Sequence, residues 1–448
     1  LSAAGTGLSS CQIGKSYTRP DMPLPARLDT LTQDTASIGD LSWWELYNDT
    51  TLQQLIHRAL TYNKDLKIAS ARMNELAALK RIDFANMFPQ ATARLNGNRE
   101  TTNYGGDNFD ADPELSLTAS ISWELDLWGN LRWARDHSTA EFLASVENCR
   151  AVKIGLVAQV AQSYFELMAL DNELAIVRRT LEARREGVRL AEIRFKGGLT
   201  SEIVFQQAKV ELAKTATMVP DLERRISLKE SEIALLTGDF PYAVNRNVLP
   251  EEIQLPDTLP LGLPSTLLER RPDIRKAERE LMAAHAEVGL AYTNMFPRLA
   301  LTATLGAESE TLRDLLKSPY SYLAGNLLSP LFAMGKNRAA LKAKRTAYES
   351  AVAEYEKTVL TAFKETHDAI INFNKIKDIY ESRRQLAEAS RTAVELAQLQ
   401  YINGVIGYLD LLDAQRNYFD AQVSLSNAVC DKQLMIINLY KALGGGWK

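Results

Sequence analysis

The sequence predicts a mainly α-helical protein with a small β part, built as a duplicated unit of helix, β-hairpin, long helix and return helix. Three observations carry this. The second half repeats the first: Asn86-Met87-Phe88-Pro89 returns as Asn294-Met295-Phe296-Pro297 at a shift of 208. After a two-residue slippage, Trp128-Gly129, Phe195, Gly198 and Leu236-Thr237-Gly238 meet Met334-Gly335, Tyr401, Gly404 and Ala442-Leu443-Gly444 at a shift of 206. A repeat this long is a duplicated domain-sized unit. Each half also holds one alternating strand and one very long helical stretch, which in the second half, from Asn337 to Ile402, contains no glycine and no proline.

The elements follow in chain order. Residues 1–10 are small and apolar, like the end of a signal peptide, and Leu8-Ser9-Ser10-Cys11 resembles a lipobox, so Cys11 is the expected lipidation site. Residues 11–50 read as an acylated arm and equatorial segment, extended around Pro20, Pro23 and Pro25. Repeat 1 spans 51–238. It opens with a helix over about 51–87, where Leu52, Leu55, Ile56, Leu60, Leu66 and Ala69 recur at three and four, ended by Pro89. A hairpin over about 91–126 follows. Its second strand alternates Leu115, Leu117, Ala119, Ile121, Trp123 and Leu125 with Ser116, Thr118, Ser120, Ser122 and Glu124, which gives one apolar and one polar face. Such strands have the length of about 9–11 residues that a tilted membrane span requires.

The long helix of repeat 1 covers about 130–196, the turn Gly197-Gly198 reverses the chain, and a return helix covers about 200–237. A linker over 239–264 precedes repeat 2 at 265–444: a helix to about Met295, a hairpin over about 298–332, a long helix over about 337–402, the turn Asn403-Gly404, and a return helix over about 408–443. Tyr348, Tyr355, Ala362, Ala369 and Ile376 recur every seven residues beside Val352, Val359, Phe373 and Tyr380, a coiled-coil-like seam. At 1.5 Å per residue each long helix measures roughly 100 Å. Residues 445–448 form a short tail.

Composition narrows the classes of function. Of 448 residues, 46% are apolar and 24% charged, as in ordered proteins. With 52 basic against 56 acidic residues there is no basic field for a nucleic-acid backbone, and no nucleic-acid partner is expected. Cys11, Cys149 and Cys430 lie too far apart for a metal or redox motif. His57, His137, His285 and His367 show no paired metal spacing. Asp107, Asp110, Asp112 and Glu114 lack the glycine and terminal glutamate of a calcium loop. Without a phosphate loop or a nucleophile elbow, no enzyme, cofactor or metal is expected.

Four strands cannot close a barrel, and an open sheet in lipid leaves edge groups unpaired at several kcal/mol each. Association is therefore required, and three copies give 12 strands, an even number within the bacterial range. The helices would then form a long tube joined to that barrel.

At this point the residues resemble the TolC-like outer-membrane efflux channels of Gram-negative bacteria, in the lipoprotein branch serving resistance-nodulation-division pumps. The resemblance rests on Ser122-Trp123-Glu124-Leu125-Asp126-Leu127-Trp128-Gly129, Glu269-Arg270-Arg271-Pro272-Asp273-Ile274, Phe296-Pro297 and Tyr440-Lys441-Ala442-Leu443-Gly444-Gly445-Gly446-Trp447. Trp43-Trp44 and Asn63-Lys64-Asp65-Leu66 also fit. It implies a homotrimeric exit duct for drugs, with an outer-membrane β-barrel, a periplasmic α-barrel, and an equatorial belt. It also implies a periplasmic membrane-fusion adaptor protein, an inner-membrane transporter and outer-membrane lipid as partners.

Leu409 and Asp413 stand at i and i+4 and share a helix face, so a trimer turning that face inward forms a leucine ring and a carboxylate ring. The resemblance implies that these two residues narrow the periplasmic gate and that Tyr401 and Arg416 tie its helices together. Asp410 would add a further pore acid. Lys196, Gly197, Gly198, Glu202, Asn403 and Gly404 form the two tips expected to dock the adaptor. Rival readings are a periplasmic coiled-coil structural or adaptor lipoprotein without a pore, or the same duct serving type I secretion or heavy-metal efflux. An alternating apolar strand face has no purpose in a soluble scaffold.

Overall fold

The computed structural model describes residues 12–23, 43, 49–102, 110–246 and 264–445. The elements are α1 (Thr50–Tyr62), α2 (Lys64–Ala85), β1 (Gln90–Thr102), β2 (Asp110–Leu125), α3 (Asn130–Lys196), α4 (Glu202–Leu236), α5 (Pro264–Arg270), α6 (Pro272–Thr293), β3 (Arg298–Ser309), β4 (Pro319–Leu328), α7 (Lys336–Ile402) and α8 (Tyr408–Ala442). Mainly helix with a small sheet is the class the sequence predicts. Cys11, the expected lipidation site, lies outside the described residues, as do most of the arm and the linker.

Two compact units divide the chain, and α3 and α7 contribute to both. The first unit holds the sheet. Its strands form an antiparallel meander in the order β1-β2-β3-β4. Leu95 faces Leu117, Leu117 faces Ala307, Trp123 faces Leu301, and Ala303 faces Leu323 across the ladders, so the apolar residues of all four strands share one side. On that side Leu95, Leu117, Ile121, Trp123, Leu301, Leu305, Leu323 and Leu327 are exposed. The opposite side carries Ser116, Thr118, Ser120, Thr302 and Thr304, with Ser120 and Thr304 bonded hydroxyl to hydroxyl at 3.0 Å. Residues 329–335 are not strand, so the second hairpin ends earlier than the alternation suggests. Pro330 stands just past the end, where an absent N–H stops the ladder.

In the same unit, residues 12–17 lie against α3 and α6. The Ile13 N–H donates to the Trp128 carbonyl at 3.1 Å, and the Trp133 indole N–H donates to the Ile13 carbonyl at 3.0 Å. His285 packs here, in T-shaped contact with Tyr17, Trp133 and Tyr348.

The second unit is helical. Its core gathers Leu52, Ile56, Tyr164, Leu167, Met168, Leu222, Ile233, Phe373, Ile437 and Leu443. The heptad seam of α7 is buried along Val359, Ala362, Ala369, Phe373 and Ile376. Periodicity alone suggests one helix before each hairpin, whereas the structure breaks each into two, at Asn63 and Arg271. Asn63 takes an extended ψ of 135°, and its side-chain oxygen caps α2 by accepting from the Leu66 N–H at 2.9 Å. Arg271 precedes Pro272, which disfavours helical backbone at the residue before it and suits the first turn of α6.

Duplication is visible in the backbone as well as in the sequence. Gly198 and Gly404 both have φ of 73°, Gly238 has 78° and Gly444 has 76°, all left-handed. Each follows a helix end, and each is spanned by a bond from the next residue to a carbonyl five back: Leu199 to Arg194, Val405 to Gln400, Asp239 to Ala234 and Gly445 to Tyr440. Four helices thus end in the same Schellman closure, in pairs 206 residues apart.

Candidate gate and helix tips

The turns after α3 and α7 and the first turns of α4 and α8 all belong to the helical unit. Gly407 precedes α8, and its N–H donates to Asp410 Oδ2 at 3.0 Å. Asp410 therefore completes a helix start, with one of its two oxygens occupied there. Leu409 is 56% exposed. The Asp413 side chain is 70% exposed and lies one turn on, accepting from Arg416 Nη1 at 3.3 Å.

Arg416 has a second partner that sequence reading missed. Its Nη2 donates to Oε1 of Glu211 on α4, and the Glu211 side chain is only 5% exposed. Glu211 is the hub of a charged knot: its Oε2 lies 3.3 Å from Arg184 Nη1 on α3, and Lys214 Nζ donates to its Oε1 at 3.1 Å. Arg184 also donates to the Glu211 carbonyl at 2.9 Å and to the Thr215 hydroxyl. Three helices are joined through one carboxylate.

The electrostatics follow from this geometry. The hydrogen bond from Arg416, offset in part by burial, holds the Glu211 carboxyl below the usual glutamate range. The same bond raises Arg416 above its ordinary value, while burial pulls Arg184 down. Burial beside Tyr401 and Glu211 pushes the Tyr408 phenol up. The shifts of Glu211 and Arg416 favour the charged form of the knot, the raised Tyr408 phenol stays neutral beside it, and an arginine stays charged at neutral pH whatever its burial.

Tyr401, at the end of α7, is buried, with 5% of its surface exposed. Its ring lies under the Arg194 guanidinium of α3, 4.9 Å from the centroid, and 5.8 Å from the Tyr408 ring. Its hydroxyl has no hydrogen-bond partner among the described residues, so the contact is made by the ring face. Tyr401 and Arg416 thus sit at two separate ties between the helix pairs.

The tips carry little beyond local bonds. Lys196 pairs with Glu192 at 2.9 Å, Glu202 accepts from Gln206 at 3.2 Å, and the Asn403 side chain donates to the Leu399 carbonyl at 2.8 Å. Gly197 donates its N–H to Ile193. Sequence reading named these polar and glycine positions but not their apolar neighbours. Leu199, Ile203, Ile402 and Val405 are all exposed around them.

No helix among the described residues is long and apolar enough to cross a membrane, while the sheet exposes a continuous apolar face and two open edges. The long helices carry a charged tie near their turns. The outer membrane efflux protein family matches residues 55–239 and 263–445, and the chain belongs to it. It is an outer-membrane efflux duct that extends into the periplasm. Outer membrane protein OprJ of Pseudomonas aeruginosa is 32% identical over 98% of this chain and 94% of its own length. Cation efflux system protein CusC of Escherichia coli is 28% identical over 98% and 97%. The solved structure of the outer-membrane channel OprN superposes with a TM-score of 0.90 at 30% identity, covering 98% of this chain and all of that one.

Proposed function

We propose that three copies assemble into the exit duct of a tripartite efflux pump, passing drugs or other small toxic compounds outward from an inner-membrane transporter of the resistance-nodulation-division class through a periplasmic adaptor. The observation that carries the assembly is the sheet: four strands, apolar on one face and open at both edges. Unpaired strand groups in hydrocarbon cost several kcal/mol each, so the edges must be covered by other copies, and three give a 12-stranded barrel. Acylation at Cys11 would add a lipid anchor to the same membrane.

In this reading Leu409 and Asp413 face the axis and repeat as rings of three. A leucine ring gates by dewetting and a carboxylate ring favours cations. The oxygen that Asp410 does not spend on Gly407 adds to that acidity. Arg416 to Glu211, and Tyr401 under Arg194, hold α8 and the end of α7 against α3 and α4. Releasing them would let α7 and α8 swing from the axis. The tips around Gly197-Gly198 and Asn403-Gly404, with Lys196, Glu202 and the exposed Leu199, Ile203, Ile402 and Val405, are the docking surface for the adaptor, because bare apolar groups ringed by charge fit a protein partner. Energy comes from the transporter, and the duct performs no chemistry.

Single-channel recording in planar bilayers, paired with mass determination in detergent, tests the proposal. A trimer with low, cation-selective conductance that rises sharply in Arg416→Ala is expected. A monomer without conductance would contradict it and favour the scaffold reading.

A further inference from the structure

The duplication is broken at one place. By the repeat offsets Trp133 corresponds to Ala339, Gly289 to Arg81, Arg345 to Thr139 and His285 to Ala77. In the chain these four residues of α3, α6 and α7 come together, with residues 13–15 beside them, around a cavity of about 560 Å³ in the unit that holds the sheet. Repeat 1 makes the same helix, hairpin and long helix with none of the four, so the fold does not require them. The Trp133 indole is the main wall. A Cβ would come within 2.4 Å of its ring at Gly289 and within 2.8 Å at Gly14, so both glycines leave room for it. Tyr292 adds further ring surface. Its centroid lies 5.4 Å from that of Phe296, and Phe296 lies 5.2 Å from Trp128, so aromatic rings lead in contact from the cavity to the foot of β3.

The charge around the cavity has one sign. Lys15 and Arg345 line it, both are exposed, and neither has an ion-pair partner among the described residues. Among those residues no carboxylate lines it. Burial holds His285 below its ordinary pKa, so at neutral pH the positive charge is that of Lys15 and Arg345. Depth supplies the rest. At 1.5 Å per residue, Tyr292, Gly289 and His285 lie roughly 2–12 Å before the end of α6 at Thr293, next to the sheet. With the apolar face of the sheet in hydrocarbon, these turns fall in the headgroup layer, where tyrosine and tryptophan rings concentrate. The segment that brings Lys15 also starts directly after Cys11, the expected lipidation site.

We propose that this cavity seats an anionic phospholipid of the periplasmic leaflet. Lys15 and Arg345 hold the headgroup phosphate, and Trp133 and Tyr292 pack against the glycerol and the first acyl carbons. The remainder of the chain follows Phe296 and Trp128 toward the sheet. Guanidinium and ammonium groups are the usual partners of a phosphate, and two unpaired cations beside aromatic rings fit a headgroup better than a wholly apolar ligand. Every residue of the site comes from one copy, so the site stands whatever number of copies assembles.

Native mass spectrometry of the full chain released from detergent, with dioleoyl phosphatidylglycerol added, tests this. One phosphatidylglycerol per copy is expected to be retained in preference to phosphatidylcholine. Lys15→Gln combined with Arg345→Gln should weaken its binding roughly thirty-fold, the worth of two cations near an anionic lipid. Arg338→Gln combined with Lys342→Gln removes the same charge from exposed positions of α7 outside the cavity, and should leave binding near the wild-type level. Equal loss in both double variants, or equal retention of phosphatidylcholine, would overturn the site. Displacement of the lipid by millimolar inorganic phosphate would overturn it too, by assigning the cavity to the free ion. Subunit number is read in the same spectra, so failure to assemble and failure to bind lipid are told apart.

Discussion

Asn63 and Arg271 stand 208 residues apart at the same helix break in the two repeats, and each donates to the last carbonyl of the return helix of its own repeat. Asn63 Nδ2 reaches the Leu236 carbonyl at 3.0 Å, and Arg271 Nη1 reaches the Ala442 carbonyl at 3.0 Å. One junction is thus closed twice, by a neutral amide and by a guanidinium. Arg271 holds more: it also donates to Asp273 and Glu365 at 2.6 Å, while the Thr366 hydroxyl donates to the same Ala442 carbonyl at 3.2 Å.

Arg271→Ala is therefore expected to destabilise more than Asn63→Ala. Removing a buried charged donor from a carbonyl and two carboxylates costs about 3 kcal/mol, and removing the neutral amide about 1–2 kcal/mol. Asp273 and Glu365 are partly solvated, so the ion pairs themselves add little. Thermal melting in detergent should order the three proteins as wild type, Asn63→Ala, Arg271→Ala.

At the gate, the Tyr401 ring rather than its hydroxyl makes the contact with Arg194. Tyr401→Phe is expected to keep the low conductance of the wild type. Tyr401→Ala removes a cation–π contact of about 1 kcal/mol together with buried ring area, and raises it. Equal effects of the two substitutions would assign the contact to the hydroxyl.

Acid should loosen the tie only well below neutrality. Arg416 holds Glu211 below its ordinary value of 4.5 when bonded, and that depression is lost when the helices part. A depressed carboxylate contributes fully above its free value and loses the contribution as pH falls through the bonded one. Arg184, Lys214 and Arg416 face Glu211, the two arginines stay protonated throughout, and the raised Tyr408 phenol stays neutral. Conductance is expected to be flat from neutral pH down to the ordinary glutamate range and to rise below it. Glu211→Gln should be open already and lack that step.

The two faces of the sheet should respond differently to charge. Ile121→Arg places a guanidinium on the exposed apolar face, which costs about 2–4 kcal/mol at mid-membrane depth, whereas Ser122→Arg falls on the polar face. The amount of folded protein recovered from outer membranes should drop for Ile121→Arg and hold for Ser122→Arg.

Most of the fold was legible because its signals are periodic. The alternation of Leu115 to Leu125, the heptads from Tyr348 to Ile376 and the glycines at 198 and 404 each impose one local geometry. The break at Asn63 was not legible, since apolar spacing continues through it and its side chain acts on a partner far along the chain, whereas the break at Arg271 carries a signal in Pro272 that periodicity alone passes over. Glu211 and Arg184 were hidden for a related reason. Each is one charge among many on a charged helix, and its burial depends on how α3, α4 and α8 meet. Asp410 was read as a pore acid from its sequence neighbours, whereas its bond to Gly407 depends on where α8 begins.

The central claim is that Arg416 and Glu211 act as one latch on an assembled duct, and a double-mutant cycle in single-channel conductance tests it most directly. Arg416→Ala and Glu211→Gln should each raise conductance from the low wild-type level, and the double variant should rise no further than the larger single effect. Independent, additive increases, or conductance unmoved by Glu211→Gln, would contradict the latch.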